Sequence, residues 1–319
     1  MTSRPLAIYY EHPNWFRPLF AELDARSIHY VMLDASCHSY DPAVANTDFS
    51  LFFNRMSASA HLRGNSQGIF FTHSYLVHLE AAGVRVVNGS RAFELETSKA
   101  RQLQLFKSLG LSFPTTRVVN CTDEILAAAP QIGFPLLVKP NIGGRGAGIA
   151  RFDSIEQLHT AIDEAKLQLG IDQIALVQEL IPARNGSITR VETIGSKFLY
   201  AIDIFTTGEN FNLCPAEICQ VENVASFFED LPSDAPKARL KVQRSIPSRS
   251  IIDAVENIVS AAGIDVGGVE YITDDRDGRA VFYDINALSN FIADAQYIIG
   301  FNPHVRLVDF LVAQQRRNE

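Results

Sequence analysis

PLLVKPNIGGRGAG, residues 135–148, is an apolar run of strand length that delivers Lys139 at its end and enters a loop with four glycines in six residues. Backbone amides flanked by glycine can close on an anion without a Cβ in the way, so such a loop can fold over phosphates. Lys139 would set an ammonium on the phosphate chain, and Arg145 would add a guanidinium from within the loop. It is not a P-loop, which ends in Gly-Lys-Ser/Thr. Nor is it a dinucleotide fingerprint, because Ile149–Phe152 after the glycines reads as a strand where that motif needs a helix. A glycine loop between two strands is a hairpin lid.

Upstream, residues 1–88 alternate strand and helix. LAIYY (6–10) is a strand, Trp15–Ala25 an amphipathic helix, Tyr30–Leu33 and Leu51–Phe53 strands, Tyr75–Ala82 a helix and Val84–Val87 a strand. This order predicts a small α/β domain with a parallel sheet. Glu94–Leu109 reads as one helix closed by Gly110. Residues 89–178 continue with strands near Arg117–Asn120, Pro135–Lys139, Ile149–Phe152 and Ile174–Gln178, and helices over Glu124–Ala129 and Ile155–Leu169. From residue 179 to 319 the pattern turns antiparallel. Ile188–Ile194 and Lys197–Ile204 flank Gly195-Ser196, a two-residue hairpin. Residues 221–247 read as an excursion loop, Ile251–Ala262 and His304–Gln315 as helices, and Val266–Ile272 and Ala280–Asn286 as strands. The fold class expected is α/β (α+β).

The last two strands carry the second chemical feature. A period of two places Phe282, Asp284 and Asn286 on one face, and Gly268, Glu270 and Ile272 on a face of the neighbouring strand. Antiparallel pairing brings Glu270 opposite Asp284. Two carboxylates and a carboxamide oxygen make an all-oxygen set suited to Mg²⁺ or Mn²⁺ bridging nucleotide phosphates.

The chain has 319 residues, 47% hydrophobic and 20% charged, with net charge −8. The acidic balance argues against a nucleic-acid-coating surface. No apolar run reaches the ~18 residues of a membrane span. The first residues, MTSRPLAIYYEHPNW, lack the uninterrupted apolar core of a secretory signal. A cytoplasmic protein with reduced thiols at Cys37, Cys121, Cys214 and Cys219 is expected.

The two features together, in this order, resemble the ATP-grasp ligases, most closely the RimK-like branch of the ribosomal-protein glutamate ligase and its lysine-biosynthesis relatives, and more distantly D-alanine–D-alanine ligase. The resemblance runs from Ser98 to Phe291. It implies an ATP-grasp fold preceded by a pre-ATP-grasp domain (1–88), with a central lobe (89–178) and a C-terminal lobe (179–319). It assigns ATP contacts to Lys99, Lys139, Gly143, Gly144, Arg145, Gly146, the hinge Gln178-Glu179-Leu180, and Asn212. Arg190, Lys139 and Arg145 would stabilise the transferred phosphoryl group. Glu270, Asp284 and Asn286 match the metal triad. Ser289 and Asn290, and Arg55 at the end of an N-terminal strand, would meet substrate.

The implied activity is ADP-forming amide ligation of a small carboxylate and an amine, an amino acid or peptide among them, through an acyl phosphate. A kinase, a thioester former and a silent ATP-binding regulatory module remain alternatives, and a homo-oligomer is left open. Three departures stand out. Ile188 replaces an acid that faces ribose in relatives, with Ser187 or Thr189 as substitutes. Asp284 replaces a glutamate, and the loop at Ser289-Asn290 lacks the usual proline and glycine. His12 and Trp15 occupy a ligand-type loop, whereas His61, His73 and His78 read as structural or surface residues.

Overall fold

The computed structural model describes residues 4–44, 48–167, 169–205 and 241–317. Its first sheet holds β1 (Leu6–Tyr10), β2 (Tyr30–Asp34), β3 (Leu51–Arg55) and β4 (Val86–Val87), all parallel, in the order β2-β1-β3-β4. Its central strands are apolar at nearly every position because both faces are covered. Leu6, Ile8 and Phe53 meet Leu19 and Leu23 of α1 (Arg17–Ala25), while Ala7, Tyr9 and Phe52 meet Ile69, Leu76 and Leu79 of α2 (Ser66–Ala81).

Helices α3 (Ser90–Glu96) and α4 (Lys99–Ser108) lead to a second, antiparallel sheet. It contains β5 (Thr116–Val119), β6 (Leu136–Pro140), β7 (Ala150–Phe152) and β8 (Ala175–Glu179), in the order β5-β8-β6-β7. Helices α5 (Thr122–Ile132) and α6 (Ile155–Asp163) pack on it through Ile125, Ala129 and Leu158. The glycine run joins β6 to β7, which pair antiparallel, so it is the expected hairpin loop.

The third sheet is antiparallel and runs β11 (Val242–Ser245), β10 (Lys197–Phe205), β9 (Ser187–Ile194), β12 (Val266–Thr273), β13 (Ala280–Asn286). One face packs Val191, Ala201 and Val269 on α4 and α7 (Arg249–Ala262). At its β10 side the other face packs Tyr200, Ile202 and Ile204 with the first sheet and α9 (Pro303–Arg317), which follows the short α8 (Ala295–Ile298). Ile194 pairs Lys197 across Gly195 and Ser196, both at φ near +60°, the left-handed pair that a two-residue hairpin requires.

Five sequence expectations change. The helix expected over 94–109 is two, broken at Ser98, whose hydroxyl accepts from the Arg101 amide and caps α4. Helix α2 begins at Ser66, where Asn65 caps it, and α6 stops at Asp163. A bulge at Tyr283 turns Phe282 into the core beside Tyr271, so Phe282 does not share the face of Asp284 and Asn286. Of the 221–247 excursion, Val242–Ser245 is an edge strand. The rest up to residue 240 lies outside the described residues, as do Asn212, Cys214 and Cys219.

Candidate active site

A cleft of about 810 Å³ lies between the second and third sheets, with the β1–α1 loop and the segment after β3 at its far end. Lys139, near the end of β6, lines it and is only 5% exposed. Burial and the neighbouring Lys99 lower its pKa to about 7, against the pull of Asp284 and Glu270. Lys99 opens α4 because Ser98 ends the preceding turn, and its Nζ lies 2.6 Å from Asp284 Oδ1. Burial opposes its charge, but Asp284, with Glu96 and Glu270 behind it, outweighs burial and raises its pKa.

Glu270 and Asp284 are direct partners across β12 and β13. Glu270 accepts from Arg190 Nη1 at 2.9 Å and from the Tyr283 hydroxyl at 2.6 Å, while the Asn286 amide donates to Asp284 at 3.1 Å. Burial raises the Glu270 pKa; Arg190 works against the rise and Asp284 adds to it. Among the described residues no three His, Cys, Asp or Glu side chains cluster as a metal set. The oxygen set here is two carboxylates completed by a carboxamide. Its chemistry fits a hard divalent ion once the amide turns its oxygen inward.

Arg190 projects from β9 across β12. Its Nε donates to Glu192 at 2.6 Å and its Nη2 to Ser289 Oγ at 3.4 Å. Burial opposes its charge, and Glu192 and Glu270 outweigh burial. The crossing is open because residue 268 is glycine: a Cβ there would stand 3.0 Å from Arg190 Nε and Glu192 Oε1.

The lid residues Gly143, Gly144, Arg145 and Gly146 all line the cleft. Gly144 lies against Ser59, and Arg145 holds a left-handed φ of +61° with its guanidinium 6.0 Å from the Trp15 ring. Trp15 is also stacked on His12 and covered by Arg63. At the opposite end stand Gln178, Glu179 and Leu180, with Leu137, Ile181 and Ile188 giving an apolar slot. The Glu179 amide already donates to Thr115 O at 2.9 Å and is therefore committed, whereas the Leu180 amide makes only a 3.4 Å bond to Pro135 O. The Glu179 carboxylate pairs Arg276 at 2.7 Å. Burial pushes its pKa up, yet Arg276 and Thr115 outweigh this and hold it low. Thr189 cannot replace the missing ribose acid, since it faces the other side of β9 and bonds Asp203.

Two substrate expectations are also corrected. Arg55 is 2% exposed and sits behind the 288–291 loop rather than on the cleft wall. It lies over Phe16 and Phe53, bonds Ser289 O, and reaches Asn290 Oδ1 at 3.0 Å; burial lowers its pKa to about 9. Ser289 turns its hydroxyl inward to Arg190 and the Phe291 amide, leaving Asn290 on the cleft. His61, His73 and His78 bond or stack locally, consistent with structural roles.

Sequence reading missed Glu96, Glu192 and Tyr283. Glu96 is half-buried and accepts from the amides of Ala287 and Leu288, fixing the loop after β13. Glu192 shares the β9 face of Arg190 at a spacing of two, a signal the sequence does carry.

A family model for the ATP-binding domain of the carbamoyl-phosphate synthase L chain matches residues 99–185. The D-alanine–D-alanine ligase of Actinobacillus succinogenes is 28% identical over 165 residues, covering 50% of this chain and 50% of that protein. The chain spans about half the length of the curated relatives it matches. Among solved structures, a RimK domain ATP-grasp protein from Sphaerobacter thermophilus superposes with a TM-score of 0.66 at 18% identity, over 96% of this chain and 99% of that one. The ATP-grasp ligase PsnB, in complex with a precursor variant, Mg and ADP, gives 0.65 at 17%, over 98% and 100%. Among the described residues no helix is long and apolar enough to cross a membrane. At these identities the likeness is one of architecture, and the architecture of this chain is the ATP-grasp fold.

Proposed function

We propose that this chain is an ADP-forming carboxylate–amine ligase that works through an acyl phosphate, in the manner of the RimK-like branch. The observation that carries the reading is convergence. Lys99 and Lys139 from the middle of the chain and Glu270 and Asp284 from its last two strands face one cleft. The D-alanine–D-alanine ligase likeness and the Mg and ADP in the PsnB complex support C–N bond formation from ATP. In this reading residues 1–88 are the pre-ATP-grasp domain, 89–178 the lid-bearing lobe and 179–319 the lobe with the metal site. The enzyme would work in the cytoplasm.

The adenine takes the apolar slot by the hinge, and the triphosphate runs past Lys139 and Lys99 toward Arg190. Glu270, Asp284 and Asn286 would hold Mg²⁺ or Mn²⁺, which supplies charge neutralisation at the phosphates when bound. A carboxylate oxygen of the substrate attacks the γ-phosphorus, and the bond to the β–γ bridging oxygen breaks to give ADP. The two lysines and Arg190 offset the charge that develops on the phosphoryl oxygens. The amine nitrogen then attacks the acyl carbon, the carbon–oxygen bond to phosphate breaks, and the nitrogen sheds a proton. The lid, pinned against Ser59 and Trp15, excludes water that would hydrolyse the intermediate.

The test is ADP release with ATP, Mg²⁺ and a panel of amino acids and short peptides as carboxylates, with hydroxylamine as trapping nucleophile. A hydroxamate that requires ATP is the expected product. Phosphorylated product without hydroxamate, or nucleotide binding without turnover, would overturn the reading.

A further inference from the structure

Beyond the phosphate site the cleft contains a carboxylate that the mechanism above does not use. Glu192 follows Arg190 by two residues on β9, so it faces the same side roughly 7 Å further from the hinge. The order along the strand is therefore Ile188 at the base end, Arg190 at the phosphates, and Glu192 past them. Glu192 lines the cleft yet is 1% exposed. Its Oε1 accepts from Arg190 Nε at 2.6 Å, whereas its Oε2 is buried with no hydrogen-bond partner among the described residues. A buried carboxylate oxygen left without a partner costs free energy, and folded proteins seldom keep one without a use.

The surroundings define what would satisfy it. Gly268 stands opposite Glu192 on β12 and opposite Asn286 on β13, so the floor beside the carboxylate is bare backbone. Among the described residues the cross-strand neighbours of Glu192 are Gly268 on β12 and Tyr200 on β10, neither of them a carboxylate, which disfavours a divalent ion needing several oxygens. An ammonium has three donors and is well served by one carboxylate oxygen and nearby neutral acceptors. Trp15 and Ser57 also line the cleft and add an aromatic ring and a hydroxyl to its wall.

We propose that Glu192 binds the ammonium group of the amine substrate and holds it beside the acyl phosphate. The proposal rests on the ligase reading and names the half-site for its nucleophile. The amine would enter as a cation, unlike a neutral hydroxyl or thiol nucleophile, and would pass one proton to the Glu192 carboxylate before its lone pair attacks the acyl carbon; the second proton leaves with the departing phosphate.

The experiment compares two nucleophiles against one carboxylate. The carboxylate is chosen from the panel by hydroxamate formation. Amide yield from a series of primary amines, amino acids included, is then set against hydroxamate yield from hydroxylamine, which is uncharged near neutral pH. Glu192→Gln should lower the amide-to-hydroxamate ratio on the order of 100-fold, the scale for losing one member of a buried charge pair. A purely structural role through Arg190 would lower both products together and leave the ratio where it was, which overturns the proposal. Should Glu192→Gln not fold, Glu192→Asp keeps the charge but withdraws it by one methylene, and an unchanged ratio there has the same meaning. A wild type that forms hydroxamate but neither uses nor is inhibited by any amine overturns the Glu192 assignment alone. A wild type that forms no hydroxamate with any carboxylate overturns the ligase reading itself.

Discussion

Lys139 is folded into surroundings that disfavour its own charge. Its pKa of about 7 lies below the ~10.4 of a lysine in the unfolded chain. Between those values the unfolded chain binds the extra proton, so stability rises with pH across that window; the destabilisation is complete below about pH 7 and gone above about pH 10.4. Lys139→Met should therefore raise the melting temperature at neutral pH and flatten its pH dependence over the window, as followed by thermal melts. The same replacement should lower kcat/KM by about 100-fold or more, the cost of removing one charge-stabilising donor, read as ADP release. ATP binding near pH 8, about one unit above that pKa, should take up a proton in wild type and not in Lys139→Met, seen by calorimetry in two buffers of different ionisation enthalpy. Lys139 was legible because a strand ending in lysine before a glycine run has few other uses. Arg55 was misread: its place at a strand end was visible, but the loop that arrives from residues 288–291 to cover it was not.

At the scale of elements, two adjacent glycines of β12 separate function from folding. A Cβ on Gly268 would meet the flexible ends of Arg190 and Glu192 at 3.0 Å, whereas one on Gly267 would meet the backbone oxygen of Asn286 at 2.7 Å. Gly268→Ala should cost activity far more than stability, by displacing the two side chains that cross it. Gly267→Ala forces backbone apart and should destabilise by about 1–3 kcal/mol in denaturant titration. The Ser98 cap is a third case. Ser98→Ala should cost about 1 kcal/mol by removing the cap of α4, and should weaken ATP binding by loosening Lys99. The Gly195-Ser196 hairpin was readable because a two-residue left-handed turn has a local composition. The bulge at Tyr283 was not, since it answers to register against β12 rather than to its own neighbours.

Over the whole molecule, one side chain ties the first sheet to the third. Asn88 is 1% exposed, and its Nδ2 donates to Val266 O at 2.7 Å and Ala287 O at 2.6 Å. Its Oδ1 accepts from the amides of Asp265 and Val266. Asn88→Ala strands four backbone groups, three of them in buried bonds, and should destabilise by several kcal/mol, about 3 or more, lowering the denaturant midpoint. Nothing in the sequence around Asn88 marks it, because its partners lie 177 to 199 residues away. Local order, by contrast, was written in the chain: apolar runs made the parallel strands, glycines the lid, and alternating acids the cross-strand pair Glu270–Asp284. Each depends on neighbours within a few residues, and short-range sterics and side-chain period act alike wherever the segment lies. Only the tertiary structure decided that Lys99 meets Asp284, that Arg190 spans two carboxylates, and that Glu192 keeps one buried oxygen without a hydrogen-bond partner among the described residues. Those are long-range pairings of charge, and their energies exist only once three sheets have removed the water between them.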